Sequence, residues 1–274
     1  MLGRLGMQGE SVWCGRLRNP IRLAMLFFCG LTAIIYVWLV LNRVFVEDAL
    51  GLHEMIRPEG RPIVWAMMIS LTGAILFSSL YLSDFRGMIE TRANGFFDIV
   101  SLVTSRMAMI MTATIVLVMF YEVVSRYVFS RPTLWANELS LWIASFVFLF
   151  AGQYAMQQRS HIRIFIIYDM MPRWMRKVAD VVSMLLIAIF TFALVWGNYA
   201  DAERRFVRME TFGTAWDPPI PGIVKPAILI IIVLVAIQAI SNLIADWSKA
   251  PEHHSPIDDI DESEIEMMRK TLDD

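Results

Sequence analysis

Six stretches of the chain run 15 to 21 residues without a charged side chain: Leu23–Leu41, Ile63–Ser83, Met107–Tyr121, Leu139–Gln158, Val181–Ala200 and Pro226–Ala245. A helix rises about 1.5 Å per residue, and a hydrocarbon core of about 30 Å takes roughly 20 apolar residues to cross. Five of the stretches meet that length alone. The third meets it only by carrying Glu122 and Arg126 with it. The pattern predicts an all-α integral membrane protein with six transmembrane helices, at about 23–41, 63–83, 107–129, 139–158, 181–200 and 226–245.

The segments between these runs carry their own signals. Pro58, Gly60 and Pro62 mark a turn and the start of the second helix. Residues 84–106 alternate charged with apolar positions and read either as an amphipathic stretch on the membrane surface or as a soluble linker, broken at Asn94-Gly95. Phe129-Ser130-Arg131-Pro132 stops the third helix. Residues 161–172 are apolar but only a dozen long and flanked by basic residues, so a short interfacial or re-entrant helix is expected there. Trp216–Pro221 is too rich in proline for a helix and reads as extended, with Pro226 beginning the last span. The division that follows is an N-terminal extension with two helices (1–104), a four-helix unit (105–247) and an acidic tail (248–274) expected to be disordered or marginally helical.

Composition agrees with this class. Hydrophobic residues make up 57% of the chain and charged ones 18%, with a mean hydropathy of +0.55. Soluble domains sit nearer 45–50% and 25%. The net charge of −2 hides an uneven distribution: +3 over residues 1–22, +3 over 159–180 and −7 over 246–274. With the N-terminus inside, the inner segments hold 15 Lys and Arg and the outer ones 9. The positive-inside rule therefore places both termini in the cytoplasm. Arg204, Arg205 and Arg208 pull weakly the other way. The basic residues before Leu23 resemble the charged start of a signal peptide, but the apolar run is too long for a cleaved one, so an uncleaved signal anchor is expected. Cys14 and Cys29 have no plausible partners and read as free thiols.

Few residues are candidates for chemistry. Glu122 and Arg126 stand four apart on one helix face and can pair, either as a structural or partner-docking contact or on a substrate or ion route. Trp135 and Glu138 sit three apart at the entry to the fourth span, where an interfacial tryptophan and an acid at a helix N-terminus are both at home. His161 lies between Arg159 and Arg163 with no Cys or carboxylate cluster beside it, a poor metal ligand set. No zinc-protease, nucleophile-elbow, phosphate-loop or dinucleotide fingerprint occurs. Neither a catalytic site nor a cofactor or metal is expected, and no nucleic-acid partner. The apolar runs also lack the paired Gly/Pro interruptions of an inverted-repeat transporter, and no polar midplane site for a solute is expected in them.

The order Arg126-Tyr-Val-Phe, Trp135-x-x-Glu138, Trp142, Gly152 and His161-Ile162 resembles the small membrane subunit, DctQ type, of tripartite ATP-independent periplasmic (TRAP) transporters. The resemblance covers roughly half the chain. It implies a four-span unit in a bacterial inner membrane with both termini cytoplasmic. It also implies two partners besides the bilayer: a large membrane subunit and a periplasmic substrate-binding protein. The system would be a sodium-coupled importer of organic acids in which the small subunit braces the large one and makes no substrate contact. Glu122, Arg126, Trp135, Glu138, Trp142 and His161 become candidates for structural or partner-interface roles. Phe165 departs from the acidic residue common after the family's histidine, and the two preceding spans and the acidic tail are additions. Two other classes compete with this reading: a scaffold or assembly subunit of an unrelated membrane complex, and an intramembrane enzyme built on Glu122, Glu138 or His161. The enzyme suffers from distance, since one helix length holds Glu138 and His161 about 30 Å apart.

Overall fold

A computed structural model describes residues 11–45, 50, 61–85, 90, 93, 95–159 and 171–247. After a 3-10 turn at Gly15–Leu17 come six helices: α1 Arg18–Phe45, α2 Pro62–Ser83, α3 Phe96–Tyr127, α4 Ala136–Gln157, α5 Arg173–Val207 and α6 Ile220–Asp246. All six are long and apolar enough to cross a membrane. Backbone polar groups have no water to bond in hydrocarbon, so a helix that satisfies them internally is the form these runs can take. The expected interfacial helix, His161 and the acidic tail lie outside the described residues.

The ends of the helices follow local chemistry and move several expected boundaries. Pro62 occupies the first turn of α2, where its missing N–H is harmless. Gly95 is the N-cap of α3, so Asn94-Gly95 does mark a break, but residues 96–106 are not a surface stretch or linker. They form the first turns of α3, with Asp98 in its first turn and Arg106 inside it. Both charges find partners, described below, which lets the helix run 32 residues, about 48 Å at the usual rise. The last helix starts at Ile220 rather than at Pro226. Pro221 takes the first-turn position, and Pro226 sits inside the helix. The chain just before α6 is turn-rich and ordered: Phe212 N–H donates to the Pro218 carbonyl and Gly213 N–H to Asp217.

Each helix packs on its neighbours in the order α1, α2, α3, α4, α6, α5, with a slighter contact between α3 and α6. The arrangement is a row in which packed neighbours run antiparallel except α4 and α6, which run the same way and meet at their last turns. No more than 22% of the residues in any helix's most apolar window are buried. Most side chains therefore face outward, as expected where lipid is as apolar as leucine and helix pairing rests on close packing and polar contacts. Below, the end of the row that carries the start of α1 and the end of α2 is the proximal end, and the other the distal end.

Candidate functional site

At the distal end the turn between α3 and α4 is built around Glu122. This carboxylate is buried, 5% exposed at its side chain. Arg126, one helical turn on, donates from Nε at 2.9 Å and from Nη2 at 2.5 Å to Oε1. Thr133 donates its backbone N–H, at 2.9 Å, and its hydroxyl to Oε2. The Thr133 oxygen in turn accepts from the Ala136 N–H at the start of α4. One carboxylate thus neutralises an arginine and pins the entry of the next helix. Ser125 donates to the Arg131 carbonyl across the same turn, and Ser130 takes a left-handed backbone, φ 53°. Trp135, the N-cap of α4, stacks on Tyr121 at 5.8 Å.

Glu122 and Arg126 are therefore brought together, and Trp135 lies on the same turn. Glu138 and Trp142 do not join the Glu122 cluster. Glu138 Oε2, Ser140 Oγ and Trp142 Nε1 are enclosed and have no hydrogen-bonding partner among the described residues. A second distal cluster closes α5 on α6: Asp201 accepts from Arg205 at 2.9 Å and from Lys225 at 2.5 Å, and Arg205 also donates to Glu210. Gly222 fits against this corner. A Cβ there would come within 3.0 Å of the Glu210 nitrogen and 3.1 Å of the Arg205 carbonyl.

The bundle holds polar side chains that a search for charges passes over. Gln153, Gln157 and Gln238 are among the most fully buried side chains of the molecule. Gln238 Nε2 on α6 donates to Asp98 Oδ1 on α3 at 2.7 Å and to Asn242 Oδ1 at 3.0 Å. Its Oε1 accepts from Ser101 at 3.3 Å. Asn242 donates to the Met156 carbonyl at the end of α4 at 2.7 Å, and Thr104 reaches Gln153 at 3.4 Å. Three helices are thereby joined toward the proximal end, where Arg159 and Asp246 add an ion pair at 2.5 Å. The spans thus carry interior polar side chains toward the proximal end, bonded to one another and to backbone. These bonds run from side chain to side chain and to backbone, so they join α3, α4 and α6 to one another.

Asp84, Phe85 and Glu90, between α2 and α3, hold the remaining proximal contacts. Asp84 closes α2 and accepts from Ser11 Oγ at 2.8 Å and from the backbone N–H groups of Trp13 and Cys14 at 3.1 and 3.0 Å, with Arg18 Nε 3.5 Å from its other oxygen. Burial pushes the Asp84 carboxyl up, but these donors and Arg18 outweigh it and hold the group below the usual range. Burial and the Asp84 charge push the neighbouring Cys14 thiol up to about 11. Arg106 Nη2 donates to Glu90 at 2.6 Å and to the Phe85 carbonyl at 3.0 Å, and the Tyr154 hydroxyl on α4 donates to the other Glu90 oxygen at 2.9 Å. Among the described residues no group of three or more His, Cys, Asp and Glu is placed to hold a metal ion.

Comparison with protein families gives one result. The family model of the DctQ component of tripartite ATP-independent periplasmic transporters matches residues 115–249, from the middle of α3 to just past α6. Comparison with curated proteins and with solved structures gives no match.

Proposed function

From the premise that residues 115–249 belong to the DctQ component family of TRAP transporters, we propose that this chain braces the large membrane subunit of a cation-coupled, binding-protein-dependent importer of organic acids. The family match carries the reading: a DctQ component is a small permease subunit of a TRAP transporter. The bonding of α4 and α6 to each other and to the start of α3, which precedes the matched residues, supports a bracing role in particular. Within α3, α4 and α6 the polar side chains Asp98, Ser101, Gln238 and Asn242 are bonded to each other or to backbone. Such bonds set the register of helices that apolar contact alone leaves free to slide in lipid. A unit locked in this way is suited to stay still while a partner moves.

The partners on this reading are the large TRAP membrane subunit and the periplasmic binding protein, and the location is a bacterial inner membrane with both termini cytoplasmic. The excess of Lys and Arg in the segments assigned inside supports that orientation. The distal end is then periplasmic, and a cysteine placed near Pro218, at the exposed Ala215, reacts with an impermeant reagent while one near Arg173 does not. On the same reading the chain is non-catalytic. Glu122, Arg126, Trp135, Glu138 and Trp142 act in structure or at the partner interface, and the enclosed, unpartnered polar atoms of Glu138 and Trp142 are those that a neighbouring subunit would satisfy after a small side-chain shift. The test is purification of tagged full-length chain from its native membranes. A large multispanning subunit at matching stoichiometry is expected, with less of it for Trp135→Ala or Glu138→Ala and no change in which solute is taken up. Purification of the chain alone, or a change of solute preference in either variant, contradicts the reading.

A further inference from the structure

We infer that the two-helix extension is a fixed part of the four-helix unit, held because it supplies the counter-charge for Arg106. Arg106 stands on α3 with its side chain 12% exposed, and Glu90 opposite it is 8% exposed. A guanidinium enclosed to that degree requires an anion and hydrogen-bond acceptors. Among the described residues its two oxygen partners, Glu90 and the Phe85 carbonyl, lie between α2 and α3. Among the described residues it also makes a weak contact from Nη1 to Met109 Sδ, 3.5 Å away. Glu90 does more than neutralise Arg106. Its second oxygen accepts from Tyr154 on α4, so one carboxylate of the connection joins two helices of the four-helix unit.

The adjacent residue carries the tie back to the start of the chain. Asp84, one position before Phe85, gathers Ser11, Trp13, Cys14 and Arg18. Polar contacts thus tie the entry of α1 to Asp84, and Phe85 and Glu90, which follow it in the chain, to α3 and α4. Apolar surface gives α2 no reason to prefer α3 over lipid. The polar contacts at the proximal end, added to side-by-side packing of α2 on α3, are what keep it there. The extension therefore closes that flank of α3, and a partner subunit must seat on another face. This holds whether or not the bracing reading is correct, because it concerns contacts within the chain.

Full-length chain carrying Glu90→Gln, Arg106→Gln or both, with a protease site inserted after Asn94, tests the inference. Each purified protein is cut and passed over a sizing column in detergent. The wild-type fragments are expected to co-elute. Glu90→Gln should lower the yield of folded protein and the retained extension by about tenfold, because Arg106 is left buried without a counter-charge. Adding Arg106→Gln should recover most of that loss, since no charge is then stranded. Equal retention in wild type and Glu90→Gln overturns the inference. So does a double variant at least as impaired as Glu90→Gln, which would mean that these side chains matter for reasons other than each other.

Discussion

The extension and the four-helix unit solve helix pairing in different ways. In the extension, α1 meets α2 through shape. The Phe28 ring lies over Gly73, where a Cβ would come within 2.5 Å of it, and stacks on Phe77 at 5.3 Å. Its strong polar contacts gather at the proximal end around Asp84. In the four-helix unit, α3, α4 and α6 meet through buried amides and carboxylates inside the bundle, with Gln238 reaching Asp98 across 140 residues of sequence. A glycine under an aromatic ring lets two backbones approach but tolerates rotation. A hydrogen bond between named side chains fixes which residue stands opposite which. The match to a transport family takes in Gln238 and Asn242 but not their α3 partners Asp98 and Ser101.

The contrast breaks first at Gln238. Gln238→Leu leaves Asp98, Ser101 and Asn242 without their shared partner and is expected to cost about 3 kcal/mol of stability, read as a fall in thermal midpoint in detergent. Gly73→Val strikes the other mode of pairing: the ring of Phe28 has to move, at about 2 kcal/mol. That variant should loosen α1 while leaving α3, α4 and α6 intact, so disulfide crosslinks between cysteines placed on α4 and α6 form at the wild-type rate. If crosslinking within the four-helix unit falls as far as that between α1 and α2, the two regions do not differ as described. Glu122→Gln keeps the shape of the distal turn but removes the charge opposite Arg126. A loss of about 1 kcal/mol is expected, because Arg126 is half exposed and can turn to water.

The smallest effect is one of pH. Asp84 ionises more readily folded than unfolded, where its value is 3.8. Its contribution is therefore fully present above that value and is lost as pH falls through the lower folded value. Loosening of residues 11–18 from α2, followed by proteolysis near Ser11, should begin only below pH 4 and should vanish from the pH profile of Asp84→Asn.

Much of the fold was legible because charge is costly in hydrocarbon. Runs free of Asp, Glu, Lys and Arg located all six helices. The same criterion erred where charge is paired. Asp98 and Arg106 looked like marks of a surface segment, yet α3 includes both, because Gln238, Glu90 and the Phe85 carbonyl satisfy them from elsewhere in the fold. Glu122 and Arg126 were legible as a pair, since a spacing of four is local information. Thr133, which completes their cluster, is bound through a turn that the spacing does not reveal. Gln153 and Gln238 were passed over because amides carry no charge. A count of Asn and Gln within the apolar runs would have flagged both, though not their partners, which only the order of helix packing settles. Pro226 misled in a simple way: Pro221 lies five residues earlier and takes the first-turn position instead.

The central claim is that this chain serves transport by holding another subunit in place and carries no solute itself. The direct measurement is uptake of labelled dicarboxylates, other carboxylic acids and sugar acids into sealed vesicles under a sodium gradient, with binding protein present. Vesicles holding the chain alone should show no uptake above empty ones, and vesicles holding it with the large subunit should accumulate one class of solute. Uptake by the chain alone, or full uptake by the large subunit without it, contradicts the claim.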